Sequence, residues 1–267
     1  MGFIKRKWFQ IFVGGLVLLY ATENTLVATN NLNFVPSVIL LGSFLIPITF
    51  VTYLYETLPN WEMSFPAMTT CFLWGGAVGT VVAGTLEYNV LETLGFLPML
   101  GVGLIEESAK LIFPLGFYLK GRLRSEATGI LLGTASAMGF AALETMGYAF
   151  VTLLRSQGNL LVLDGVLFAR GLLSPAGHAA WTGLVCAVLW REREKAGRKV
   201  LNWQVLGAFL TAVLLHALWD IFNSFRGATF IASINLELLS ILVAYISLTL
   251  LNKRISEAKS INVNLSK

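Results

Sequence analysis

The chain is poor in charge: 13% of its 267 residues are Asp, Glu, Lys or Arg, while 56% are hydrophobic and the mean hydropathy is +0.72. An ordinary soluble domain carries about 25% charged residues, so that class is excluded. Cysteine is scarce too. Cys71 and Cys186 both lie in apolar runs without motif spacing, which rules out a disulfide framework and leaves two small buried hydrophobes. Histidine occurs only as His178 and His216. There is no H-E-x-x-H, no serine in a nucleophile motif and no pair of aspartates at membrane depth, since Asp164 is read as a loop residue. Soluble-type serine, cysteine and aspartic mechanisms are therefore disfavoured, and a carboxylate or a metal that activates water remains. The chain also lacks long linkers, low-complexity tracts and internal repeats. The first apolar run ends without an A-x-A-like cleavage site and is read as a retained span. No nucleic-acid partner is expected.

What is present is a series of apolar runs. They predict an all-α, polytopic transmembrane bundle, one integral membrane domain over residues 1–267, surrounded by lipid. Spans are expected at about 8–22, 35–55, 67–86, 94–119, 127–153, 166–190, 201–223 and 230–251. The fourth carries Pro98 and Pro114, where a bend is expected because proline removes a backbone donor. Glycines at 75, 76, 79 and 84 in the third span, and at 129 and 133 in the fifth, suit close helix packing. Fifteen of the 19 basic residues fall in the N-terminus, the loops after spans four and six, and the C-terminal tail. The opposite side offers only Arg155 and Arg226. The positive-inside rule then places both termini in the cytoplasm, in agreement with an even number of spans.

Against this background the stretch Glu106-Glu107-Ser-Ala-Lys110 stands out. One ionised side chain near the bilayer centre costs roughly 2.5–3.5 kcal/mol on insertion scales, so three within five residues require polar surroundings. Glu106 and Lys110 share a helix face at i,i+4, and Glu107 is turned about 100° away toward another partner. Candidates sit on three further spans: Glu144 with Tyr148, Arg170 with His178, and His216 with Asp220 at i,i+4, where the aspartate can orient the ring. At the helical rise, Glu106, Glu144, His178 and His216 fall roughly 10–18 Å below the outer ends of their spans, in one layer. Scattered polar accidents would not match in depth. Four carboxylates against Lys110 and Arg170 leave two negative charges, which a divalent cation or two protonated carboxyls would balance. Zinc suits two histidines plus a carboxylate with water in the fourth place. Blander readings compete: a buried ion pair that fixes helix register, a hydrogen-bonded core histidine, an interfacial Tyr148 and a snorkelling Arg170. Trp181, Trp190, Trp203 and Trp219 read as interface or packing residues.

Together these motifs resemble the PrsW family of intramembrane proteases. Glu106 to Lys110 matches its E-E-x-x-K, Leu143 to Tyr148 its F-E-x-x-x-Y, Arg170 to His178 its arginine-to-histidine segment, and His216 to Asp220 its H-x-x-x-D. The match spans about residues 100–222, and Leu143 stands where phenylalanine is usual. That family is similar to the type II CAAX prenyl endopeptidases and abortive-infection membrane proteins. The resemblance implies a four-helix catalytic core over residues 94–223 in a bacterial or archaeal cytoplasmic membrane. It implies a single-span membrane protein substrate such as an anti-sigma factor, cut near the outer face. Glu106 is then the base, with Glu107, Lys110, Tyr148, Arg170 and Asp220 in the catalytic set. Glu144, His178 and His216 hold a divalent metal, zinc by preference. A non-catalytic scaffold subunit and an ion-coupled transporter are the alternative expectations.

Overall fold

The computed structural model describes residues 2–58, 63–91, 98–121, 123–197, 199, 201–224 and 230–265. Residues 94–97 of the expected fourth span, together with Arg122, Arg198, Arg226 and Lys267, lie outside the described residues. Every regular element among the described residues is helical. Seven of the helical stretches there are long and apolar enough to cross a membrane. The main helices are α1 (Lys7–Thr29), α2 (Val35–Thr57), α3 (Phe65–Thr70), α4 (Gly76–Leu91), α5 (Pro98–Lys110), α6 (Ile112–Lys120), α7 (Glu126–Arg155), α8 (Leu160–Leu173), α9 (Ala180–Ala196), α10 (Trp203–Ser224) and α11 (Phe230–Leu265).

Three departures from the expected spans stand out, and two of them have local causes. The fourth is not one helix but α5 and α6, broken at Leu111. Pro114 has no N–H to bond the carbonyl four residues back, which is that of Lys110. The helix stops there, Pro114 falls in the first turn of α6 where proline is tolerated, and the Ser136 hydroxyl donates to the orphaned Lys110 carbonyl at 2.7 Å. The sixth begins earlier than expected. Asn159 caps it by accepting from the Val162 N–H at 3.4 Å, and Asp164 therefore stands inside α8, not in a loop. The last helix runs on past residue 251 to Leu265. Two wide π turns, Cys71–Gly75 and Pro175–Ala179, interrupt what hydropathy alone shows as continuous spans.

The chain divides into two compact units, Met1–Thr57 with Ala141–Pro175, and Leu58–Phe140 with Ala176–Lys267. In the first, α1 and α8 pack on α2, and a core forms from Leu26, Val38, Ile39, Ala149, Leu153, Leu163 and Leu167. Most of α1 is exposed and apolar, as a lipid-facing helix must be.

In the second unit, residues 126–140 of α7 are buried on every side. Small residues make that possible. A Cβ on Gly76 would stand 2.5 Å from the backbone of Gly139, and one on Gly133 would stand 2.8 Å from the Thr182 carbonyl oxygen. The glycines expected to serve close packing do so at 75, 76, 79, 129 and 133, whereas Gly84 faces open space. α5 packs on α4 and α10, and α10 on α9 and α11. Near one end Arg193 donates to the Tyr118 carbonyl at 2.8 Å, and Trp190 donates to that of Leu123 at 3.1 Å.

Candidate active site

The last turn of α5 carries the charged stretch into the second unit. Lys110, with 0% exposure, donates to Glu106 Oε2 at 2.9 Å and to Glu107 Oε1 at 2.8 Å. One lysine thus joins both carboxylates, because i+3 and i+4 neighbours flank the same helical face. Its ammonium also lies 4.5 Å from the centre of the Phe140 ring. The break after Lys110 keeps the lysine at a helix end, where Ser136 can fix its backbone.

Glu107 is saturated. Oε1 accepts from Lys110 and from His216 Nδ1, the latter at 3.0 Å, and Oε2 accepts from the Thr182 hydroxyl at 2.8 Å. A buried carboxylate without such donors would cost several kcal/mol in desolvation, so this set of bonds is what allows a fully buried charge. Glu106 differs. Its Oε2 is held by Lys110, and among the described residues no hydrogen bond is made at Oε1.

Close approach of α5 and α10 makes the Glu107–His216 bond possible. Gly103, one turn before Glu107, sits so near α10 that a Cβ there would lie 2.9 Å from the Val213 carbonyl oxygen. An ionised carboxylate only accepts, so Nδ1 of His216 carries the hydrogen, and in the neutral ring Nε2 presents its lone pair. That nitrogen stands 3.5 Å from Glu106 Oε2 and 3.5 Å from Asp220 Oδ2, long for hydrogen bonds. Three electron-rich atoms converge there. The orientation of His216 by Asp220 expected from the i,i+4 spacing is accompanied by a shorter contact to Glu107 at the other nitrogen.

The π turn Pro175–Ala179 adds an extra residue to the helical path just before α9. His178 lies in it, one turn ahead of Thr182, with its ring 5.9 Å from Phe140 and 5.8 Å from His216. The His178 ring and the Glu106 carboxylate each offer a donor atom within 4.8 Å of the other. Such turns recur at functional sites because they redirect side chains without ending the helix. Trp181 follows, buried, its indole stacked on His216 with centroids 4.5 Å apart at 22°.

Glu144, Tyr148 and Arg170 belong to the first unit. Arg170 pairs with Glu144 at 2.8 Å, donates to the Thr145 hydroxyl at 3.4 Å, and lies 4.2 Å from the centre of the exposed Tyr148 ring.

The sequence model of the PrsW family of intramembrane metalloproteases matches residues 64–251, well over half of the chain. The chain belongs to that family. No curated protein and no solved structure matches it. Membership makes the protein an intramembrane peptide hydrolase and implies a metal.

The donors of the PrsW-type site fit a divalent ion. Imidazole and carboxylate are the ligand types of catalytic zinc, and a metal-bound histidine usually donates its other N–H to a carboxylate, as His216 does to Glu107. Within the second unit Glu106, Glu107 and Asp220 against Lys110 leave two negative charges, while Glu144 in the first unit is already paired with Arg170. Sequence reasoning missed three contributors: Ser136, Thr182 and the contact of Trp181 with His216. Thr182 and Trp181 could have been found at i+4 and i+3 from His178; Ser136 carries no one-dimensional signal.

Proposed function

We propose that the protein hydrolyses a peptide bond of a single-span membrane protein at the cluster built on Glu106, Glu107, His178 and His216. The observation that supports this best is the convergence of His216 Nε2 with Glu106 and Asp220 inside the second unit.

Glu106 is the general base. Lys110 anchors Oε2, and Oε1 takes the proton of the attacking water and then delivers it to the leaving amine. Glu107 stays ionised and acts as the hub that orients His216, Lys110 and Thr182. His178 and His216 hold the metal, zinc by preference, with Asp220 adding a carboxylate beside His216. Glu144 joins the ligand set on its motif position. A divalent metal in such a site supplies Lewis acidity that polarises the scissile carbonyl and activates water. Arg170, stacked on Tyr148, holds Glu144 in place. The substrate binds as an extended strand, since a helical peptide bond is shielded by its own turn.

We further propose that both termini are cytoplasmic, in a bacterial or archaeal cytoplasmic membrane, from the distribution of basic residues. The buried layer then lies toward the outer half of the bilayer, which suits cleavage of a membrane-anchored regulator such as an anti-sigma factor near the outer face.

The test is cleavage of a quenched fluorescent single-span peptide reconstituted with the protein in liposomes. Glu106→Gln and His216→Ala should each abolish cleavage while the protein stays folded. No cleavage by the wild-type protein would instead favour a scaffold role for the same fold, and wild-type rates in both variants would place the chemistry away from this cluster.

A further inference from the structure

The structure assigns Ser247 of α11, acting through Trp181, as a positioning residue for His216. This rests on the reading that His216 works in hydrolysis, but it concerns a part of the chain that none of the sequence motifs reaches.

The Cβ tether and the hydrogen bond from Nδ1 to Glu107 hold the His216 ring along one edge, and small changes in its two side-chain torsions still move Nε2, on the far edge, relative to Glu106 and Asp220. The stacked indole of Trp181 limits those changes by covering one face of the ring. The same indole meets His178 edge-on at 5.7 Å, so one side chain borders both histidines.

The indole plane is in turn set by its own polar edge. Trp181 Nε1 donates to Ser247 Oγ at 2.9 Å, and the Ser247 hydroxyl donates to the Val243 carbonyl at 2.8 Å. Trp181 and Ser247 are each 1% exposed, so the indole N–H has no water or headgroup as a substitute partner. A buried tryptophan is usually explained by packing. Packing alone, however, does not require a hydroxyl on a lipid-exposed helix directed at the indole nitrogen. The direction of Nε2 is therefore determined by a chain of three contacts from α11 to α9 to α10.

The chain has only two histidines, which gives a direct readout. Protein labelled with carbon-13 histidine should show two ring Hε1 signals in detergent micelles, identified by the His178→Gln variant. The His216 signal is expected upfield, in the ring current of Trp181. Ser247→Ala should move or split that signal and lower kcat on the liposome-reconstituted quenched peptide by roughly 10-fold or more, with KM unchanged. Ser247→Thr, which keeps the hydroxyl, should restore both. Trp181→Phe keeps a stacking face without an N–H and should lower kcat as Ser247→Ala does. An unmoved His216 signal in Ser247→Ala, or a moved signal with wild-type kcat, overturns the assignment. The underlying reading fails separately, through full turnover in Glu106→Gln, and the signal position still decides the positioning claim in that case.

Discussion

Replacing Lys110 by methionine probes the buried charges most severely. Methionine fills nearly the same space, so the change removes the ammonium with little loss of packing. It eliminates the bonds of 2.9 and 2.8 Å to Glu106 and Glu107 and leaves two adjacent carboxylates on one turn of α5 without a cation. Breaking a fully buried pair by deleting one partner costs about 3–5 kcal/mol, because the surviving charge stays desolvated. At about 2–3 °C per kcal/mol for a chain of this size, the melting temperature should fall by roughly 6–15 °C. Thermal unfolding in detergent, followed by tryptophan fluorescence, measures this. Adding Glu106→Gln and Glu107→Gln to Lys110→Met removes the uncompensated charge, and most of the lost stability should return even though activity does not. A Lys110→Met protein that melts with the wild type, or a triple variant no more stable than the single one, would refute the claim that these carboxylates are held as ions by the lysine.

Three further outcomes are expected. Thr182→Val keeps the side-chain volume but removes the donor to Glu107 Oε2, and should cost about 1–3 kcal/mol in thermal unfolding, while an unchanged melting point would show that the hydroxyl bond is dispensable. Gly103→Ala places a methyl 2.9 Å from the Val213 carbonyl and pushes α5 from α10, so peptide cleavage should fall on the order of 10²-fold while overpacking costs only about 1–3 kcal/mol of stability. Gly133→Ala, whose Cβ would stand 2.7 Å from Cys186, should destabilise by about 1–3 kcal/mol, whereas Gly147→Ala meets nothing within 4 Å and should stabilise α7 by up to about 1 kcal/mol in the same assay.

Much of the site was legible because charge in an apolar run is visible without knowing any neighbour. Glu106, Glu107, Lys110, His216 and Asp220 all declared themselves that way, and the helical period placed Lys110 beside Glu106. What it could not give is which partner wins when several are in reach. Glu107, expected merely to turn away from Lys110, is the residue that lysine, threonine and histidine all share. Hydropathy reads each side chain alone, so it ran straight through the break at Leu111 and the π turn at Pro175–Ala179. Pro114 did flag the first of these, but the hydroxyl that satisfies the freed carbonyl comes from Ser136, 26 residues away from Lys110. Trp181 was read as packing because an indole in an apolar segment carries no mark of the imidazole it covers. Asp164 was assigned to a loop because hydropathy sees the apolar stretch, whereas the Asn159 cap starts the helix six residues before position 166.

In the proposed mechanism His178 and His216 hold a metal in the site where Glu106 activates water. Elemental mass spectrometry of the purified protein, on a preparation shown to cleave the reconstituted peptide, tests it most directly. About one equivalent of zinc or another divalent metal is predicted for the wild type, falling to background in His216→Ala. A preparation that cleaves at full rate with no stoichiometric metal would contradict the account.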